Sequence, residues 1–310
     1  MLVVEPAGDL SQAFWIDLVD PTAEEAQQVA AATGLRVPSR AQLSEIETSS
    51  RVSFDNGAFY FSSPMVAPER PDSGAAPAGF VVSSKVLVTV RFAQLPSFDA
   101  VHEAARLHPH GSGHACGSAP DAFLKLLEVI VDHFADALER AGADCEAISS
   151  GTFNLRKGQT AVLRSSLNRI GEVADRTSRI RDALLGLGRI IAFATEPGLE
   201  HAPELHRGRL KALHADLVSL TDYEGHLASK IQFLLDATLG FVNIEQNEIV
   251  KTLTVASVAG IPPVLIAGIY GMNFKVMPEL SWPFGYPFAM ALIVVSALIP
   301  VLWFKHRGWM

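Results

Sequence analysis

A short polar stretch near the carboxyl end of the chain carries residues that suit contact with a cation: Gly271, Met272, Asn273 and Glu279. The amide oxygen of Asn273 can accept hydrogen bonds from the water shell of a cation, and Glu279 would raise the local cation concentration without binding any ion tightly. Gly271 permits the tight backbone needed where a helix ends, and we expect Met272 to pack and hold the turn. Asn also tolerates the left-handed geometry of a helix C-cap, so capping is an alternative role for Asn273 that is compatible with ion contact.

The residues before this stretch form a mostly apolar face of a predicted helix. At about 100° per residue, eight positions fall on or beside one face, with Asn247 and Leu253 at its margins. They are Asn247, Val250, Leu253, Thr254, Ser257, Ile261, Val264 and Gly268. An apolar lining is unexpected for a pore that binds ions, but it suits a pore that closes by dewetting. The same stripe can be a helix–helix interface, and this alternative stays open.

A histidine-rich segment at residues 108–116 is a second candidate for metal chemistry. It holds three imidazoles and a thiol, at His108, His110, His114 and Cys116. Such groups bind Zn²⁺, Ni²⁺ or Co²⁺. Their spacing fits no fixed site, and the Gly and Pro residues between them favour a solvated loop. We expect the solvated loop.

Two uncharged stretches of spanning length surround the polar stretch. A helix needs roughly 17–25 apolar residues to cross the hydrocarbon core of a membrane, and residues 252–270 and 285–304 satisfy this. Lys251 precedes the first stretch, and Lys305, His306 and Arg307 follow the second. The positive-inside tendency therefore places the loop 271–284 outside and both termini in the cytoplasm. A buried hairpin of a soluble domain is the alternative.

Composition narrows the classes of function. The chain has 310 residues, is 49% hydrophobic and carries a net charge of −8, which argues against nucleic-acid binding and suits a protein that attracts cations. Two cysteines without a CxxC pattern indicate a reducing compartment, and the N-terminal residues do not resemble a secretory signal. No ATP-binding loop and no catalytic signature is present, so an enzyme is disfavoured.

Periodicity predicts an α+β membrane protein in three parts. Residues 1–150 alternate strand and helix signals and predict a cytoplasmic α/β/α domain with a mixed sheet, including a hairpin at the turn 55–57. Residues 151–250 are predicted as a helical region and residues 251–310 as a transmembrane domain, which the resemblance described below implies is a pore domain. We predict helices at 121–140, 144–154 and 160–194, and a helix from about 203 to 270 that would be on the order of 100 Å long. A long amphipathic helix of this kind implies an oligomer.

The motifs near the two spans resemble those of the CorA family of magnesium transporters. The motif is Tyr270-Gly271-Met272-Asn273-Phe274, followed by Met277-Pro278-Glu279-Leu280 and Gly285-Tyr286-Pro287. Upstream, Asn247-Glu248, the run 251–254 and the segments 15–18 and 38–47 are also similar. The resemblance implies a homopentamer whose first span lines the pore, with a ring of Asn273 amides as the outer filter. It does not locate the family's intracellular Mg²⁺-sensing carboxylates. Asp216 and Asp222 are candidates, although ordinary solvated carboxylates are the simpler interpretation.

The resemblance therefore implies a channel for Mg²⁺, and for Co²⁺ as well, in the inner (plasma) membrane. It implies no cofactor beyond Mg²⁺ as the transported ion and as a possible regulatory ligand, and its partners are divalent cations, the lipid bilayer and copies of the chain itself. Entry would be driven by the membrane potential. One alternative is a Zn²⁺ transporter of the same superfamily, with or without coupling to protons. The other is a membrane-anchored signalling or scaffolding protein.

Overall fold

A computed structural model describes residues 1–5, 9–45, 51–66, 76–107, 117–154, 160–194, 204–273 and 277–309. The histidine-rich segment 108–116 lies outside the described residues. Two compact units divide the chain. The first comprises Met1–Gly151 with Leu167–Leu235, and the second comprises Thr152–Ser166 with Asp236–Met310.

A six-stranded sheet forms the centre of the first unit, with the strand order β1-β2-β6-β5-β4-β3. The strands are β1 (Leu2–Glu5), β2 (Trp15–Val19), β3 (Val52–Asp55), β4 (Ala58–Met65), β5 (Ala76–Ser83) and β6 (Leu87–Arg91). β2 and β6 are parallel, and every other neighbouring pair is antiparallel. The predicted mixed sheet is thus confirmed. β1 was not predicted, because four residues with no turn signal before them give no usable period.

The predicted hairpin joins β3 and β4. Asp55 pairs with Ala58, and the two residues between them, Asn56 and Gly57, have φ angles of 49° and 74°. Both angles are positive, as a two-residue hairpin turn with the twist of the flanking strands requires. The Asn-Gly sequence provides this geometry at little steric cost, which is why the sequence located the turn correctly.

Two helices cover one face of the sheet: α1 (Ala23–Thr33) and α2 (Arg40–Leu43). α1 begins with a capping box, in which Thr22 Oγ1 accepts from the Glu25 N–H at 3.2 Å and Glu25 Oε2 accepts from the Thr22 N–H at 3.0 Å. The second of these bonds holds the pKa of Glu25 below its usual value. Leu43 of α2 packs closely over Gly79 of β5, where a Cβ would lie 2.7 Å from a Leu43 methyl carbon.

The other face of the sheet is covered by helices α3 (Pro96–Leu107), α4 (Ala119–Phe153) and α5 (Thr160–Ala194). The part of α6 (Glu204–Tyr270) that lies in the first unit packs against α4 and α5. The buried side chains of α3, α4 and α5 include Phe98, Leu126, Leu127, Ile130, Leu138, Ile148 and Ile180. Residues 121–140 and 144–154 were predicted as two helices, and this was wrong because α4 is continuous. Gly142 lies between them and permits close packing, since a Cβ there would lie 2.6 Å from Tyr223 Oη.

Ion pairs link α4 and α5 to the part of α6 that lies in the first unit. Arg209 binds Glu128 through two bonds of 2.8 Å, and Lys230 pairs with Glu146. Glu224 is buried, with Arg181 at 3.8 Å. Burial raises the pKa of Glu224, an effect that Arg181 opposes only in part.

Two helices in the described part of the chain have the length and apolar composition of membrane spans. α6 has 67 residues, which at 1.5 Å per residue is about 100 Å, and its apolar end contains Pro262 and Pro263. The second helix is α7 (Gly285–His306) with Pro300 inside it. Residues of both apolar stretches are mostly exposed within the chain, which suits surfaces that contact lipid or further subunits.

Candidate functional site

The carboxyl end of α6 carries Gly271, Met272 and Asn273. The Gly271 N–H donates to Ala267 O at 3.0 Å, and the Met272 N–H donates to Ile269 O at 3.2 Å, so the helix tightens over its last turn. A Cβ at Gly271 would lie 3.2 Å from Ala267 O, closer than most side chains tolerate. The helix end at Gly271 is therefore tight, and the part of Gly271 in an ion filter stays a prediction.

Asn273 is exposed directly after this helix end. Among the described residues other than glycine, only Asp20 and Asn56 have positive φ angles, so Asn273 does not form a left-handed cap. Met272 is also exposed, with half of its surface accessible in the chain. The packing role expected for Met272 stays a prediction, because its packing partners would have to be further subunits or lipid. The Asn273 amide is accessible to a hydrated ion.

Glu279 lies in a short 3₁₀ helix, Pro278–Ser281, between α6 and α7. The Trp282 N–H donates to Glu279 O at 3.4 Å, and the Gly285 N–H donates to Trp282 O at 2.9 Å. The first residue of α7 lies against this turn, since a Cβ at Gly285 would be 2.1 Å from Glu279 O. Gly285 is thus required for the position of the turn that carries Glu279. In the sequence, the only indication of this role was the place of Gly285 in the Gly285-Tyr286-Pro287 motif.

The predicted pore face of α6 is open in the single chain. Ile261 is 63% exposed, and the other apolar members Val250, Leu253 and Val264 are exposed as well. Val255 points the other way around the helix and is buried, at 8% exposure. The packed side of α6 is therefore opposite to the predicted face.

Three of the eight predicted positions line one open concave patch. Ser257, Ile261 and Val264 share it with Ala256, Gly260 and Leu265. Asn247 is exposed at one end of the face and Gly268 at the other. Thr254 is half-buried and donates its hydroxyl to Val250 O at 2.8 Å, which satisfies the hydroxyl within its own helix.

Within the described residues, other candidate metal ligands do not come together. The described parts of the chain contain no group of three or more His, Cys, Asp or Glu side chains placed to hold a metal ion. Asp216 and Asp222, the candidate sensing carboxylates, are both exposed on α6.

A buried polar network in the first unit is the feature that the sequence did not indicate. Asp17 on β2 accepts from Thr89 Oγ1 at 2.6 Å and from Arg91 Nε at 3.0 Å. His102 stacks on Trp15, with Nε2 at 3.3 Å from Asp17 and Nδ1 at 3.4 Å from Glu5. The two carboxylates face opposite ring nitrogens, so these groups do not converge on one ion.

Comparisons with known proteins identify relatives over the full chain. A family model described as CorA-like Mg²⁺ transporter protein matches residues 11–306. The magnesium transport protein CorA of Yersinia pseudotuberculosis is 32% identical over 310 residues, covering 100% of this chain and 96% of the relative. The protein of the same name from Escherichia coli K12 is 33% identical over 316 residues, with the same coverage.

A solved structure has the same fold. It is the complete structure of the CorA magnesium transporter from Methanocaldococcus jannaschii, with a TM-score of 0.75 and 22% identity. The match covers 96% of this chain and 91% of that one.

Proposed function

The chain belongs to the family of CorA-like Mg²⁺ transporter proteins, and on that premise we propose that it conducts Mg²⁺, and Co²⁺ as well, into the cell down the electrochemical gradient. The observation that carries the proposal is the exposed Asn273 amide at the end of an apolar helix whose predicted pore face is open. Both features suit a subunit that surrounds a pore together with copies of itself.

The filter would recognise the ion through its water shell. Mg²⁺ dehydrates reluctantly and demands octahedral geometry, so a filter that stripped its waters would be slow. A ring of Asn273 amide oxygens would instead accept hydrogen bonds from those waters. Glu279, exposed on the neighbouring turn, would raise the cation concentration at the mouth.

The gate would be apolar. Leu253 and Ile261 lie on the open face, about two helical turns apart. Copies of each side chain around a narrow pore would make rings that water leaves readily, which blocks ions without a plug. Thr254 suits this arrangement because its hydroxyl is already bonded to Val250 O and does not keep the pore wet.

The membrane potential supplies sufficient energy. For a divalent cation, an inside-negative potential of about 100 mV provides roughly 4.6 kcal/mol, at 2.3 kcal/mol per charge. This energy corresponds to more than a thousandfold accumulation. Entry therefore needs no ATP and no coupled ion.

We propose a homopentamer in the inner membrane, with both termini in the cytoplasm and the loop 271–284 outside.

Ion flux into liposomes tests this function. The purified full-length protein is reconstituted, and entry of Mg²⁺, Co²⁺ and Zn²⁺ is followed separately under an imposed inside-negative K⁺ diffusion potential or an imposed proton gradient. We expect Mg²⁺ and Co²⁺ entry that follows the potential and ignores the proton gradient. Zn²⁺ entry driven by protons, without Mg²⁺ entry, would make the chain a zinc transporter. No flux of any of the three ions would support an anchored interaction protein.

A further inference from the structure

The chain after α7 is held in a defined turn. Gly308 has a φ angle of +73°, and its N–H donates to Lys305 O at 3.2 Å, while the Trp309 N–H donates to Phe304 O at 3.1 Å. These two bonds define a Schellman motif, and the accompanying hydrophobic contact is Trp309 stacked on Phe304, with ring centroids 5.2 Å apart. We call residues 303–309 the α7 hook.

Aromatic rings in the hook hold a guanidinium group in place. Trp303 packs edge-on against Phe304, with centroids 5.0 Å apart, and Arg307 Cζ lies 5.3 Å from the centroid of the Trp303 ring. A guanidinium stacked on an aromatic face keeps the N–H groups at its edge available for a bidentate contact with an oxyanion. Phe304 is buried, whereas both tryptophans expose about half of their surface.

The hook carries exposed positive charges. Lys305, His306 and Arg307 are all exposed, and within the described ranges none of them forms an ion pair with a carboxylate. Lys305 and Arg307 thus place two positive charges beside exposed indole rings. That combination suits an anion next to an apolar phase.

The length of α7 determines where the α7 hook lies relative to the membrane. Its 22 residues span about 33 Å, close to the roughly 30 Å of the hydrocarbon core, so the hook begins where the headgroups begin. Tryptophan favours this interface, and basic residues near it attract anionic lipids. We propose that the α7 hook binds the phosphate of an anionic phospholipid, with Lys305 and Arg307 as the contacts. The inference rests on the proposed membrane function for the location of the hook, and the cytoplasmic leaflet follows from the proposed topology.

Lipid retention by the purified full-length protein tests the inference. Protein is exchanged between nanodiscs of phosphatidylcholine alone and of phosphatidylcholine with phosphatidylglycerol, and retained phosphatidylglycerol is counted by native mass spectrometry. Each basic residue near an anionic surface contributes about a fivefold gain in binding. We therefore expect the double variant Lys305→Gln, Arg307→Gln to lose about thirtyfold in phosphatidylglycerol affinity. The matched control Arg207→Gln, Lys211→Gln removes the same charge at exposed α6 positions and should lose little.

A second pair of variants separates the geometry of the hook from its charge. Gly308→Ala keeps both cations but places a Cβ at a positive φ angle, whereas Gly308→Asn tolerates that angle better. Retention of phosphatidylglycerol should fall in Gly308→Ala and persist more fully in Gly308→Asn.

Unchanged retention in the double variant Lys305→Gln, Arg307→Gln would overturn the proposal. Displacement by inorganic phosphate as readily as by lipid would identify a simple anion site, and dissociation of the oligomer would identify a contact between subunits; both results contradict the proposal. Lipid counts do not depend on ion flux, so a failed transport assay leaves this test intact.

Discussion

Asp17 is the residue on which the buried polar network of the first unit depends. Asp17 acts with Thr89, Arg91 and His102, which lie 72 to 85 positions away in sequence. No local pattern connects these residues, since only the parallel pairing of β2 with β6 and the packing of α3 bring them together.

Removal of the buried carboxylate should destabilise the first unit strongly. Asp17→Ala leaves Arg91, whose side chain is 3% exposed, without its buried partner, although the bond of 2.9 Å to Asp99 persists. Breaking a buried pair from one side costs about 3–5 kcal/mol, and we expect about 3 kcal/mol here. Asp99→Ala is the matched control, because Asp99 is 57% exposed and exposed pairs contribute about 1 kcal/mol or less. Calorimetry of both purified variants measures the difference in their free energies of unfolding. Equal losses of stability in the two variants would contradict the role of Asp17.

Polar substitutions on the predicted pore face distinguish a gate from a packing surface. If copies of Leu253 and Ile261 narrow the pore, Leu253→Asn and Ile261→Asn should give assembled channels with raised basal flux and weaker shut-off by high internal Mg²⁺. Ile244→Asn is the control, since Ile244 is 60% exposed but is turned about 100° from Ile261 on the helix. Flux measured with a Mg²⁺-sensitive dye should rise only in the first two variants. Lower flux together with a dissociated oligomer would support packing instead.

At the scale of secondary-structure elements, the sequence predicted the helices and turns that have strong local signals. The Asn56-Gly57 turn and the bounds of α5 (Thr160–Ala194) agree with the structure. The apparent division of α4 was an error because Gly142 permits packing and does not end the helix. The turn at Pro278–Ser281 and the α7 hook were missed, since each depends on contacts with the end of a neighbouring helix that no periodicity reports.

Gly285 offers a test of how the loop element positions Glu279. In Gly285→Ala the new methyl group meets Glu279 O, so the turn must shift, at a strain of about 1–3 kcal/mol. We expect Mg²⁺ entry to need a higher external concentration while the maximum rate changes less. The change Glu279→Gln should add little in the Gly285→Ala background. Gly240→Ala is the control, because nothing lies within 4 Å of a Cβ there; normal uptake by Gly285→Ala would remove Gly285 from this role.

At the scale of the whole molecule, the two apolar helices and their basic flanks determine the predicted topology. Labelling of intact cells with an impermeant thiol reagent tests it, with cysteines at Ser281 and Ser39 and without Cys116. Cys145 stays silent, since it is buried and its burial raises the pKa of the thiol. Ser281→Cys should react and Ser39→Cys should not. Labelling of Ser39→Cys alone would indicate the opposite topology, with the N-terminal part of the chain outside the cell.

The central claim is that Mg²⁺ enters through a ring of Asn273 amides under the membrane potential. The most direct measurement compares Mg²⁺ uptake into liposomes by the wild-type protein and by Asn273→Ala, at a fixed inside-negative potential and with the oligomer verified by size. Asn168→Ala makes the same change at an exposed α5 position, away from the motif and from the predicted pore face. We predict potential-driven uptake by the wild type and by Asn168→Ala, and severely reduced uptake by an intact Asn273→Ala oligomer. Normal uptake and unchanged selectivity in Asn273→Ala would contradict the account.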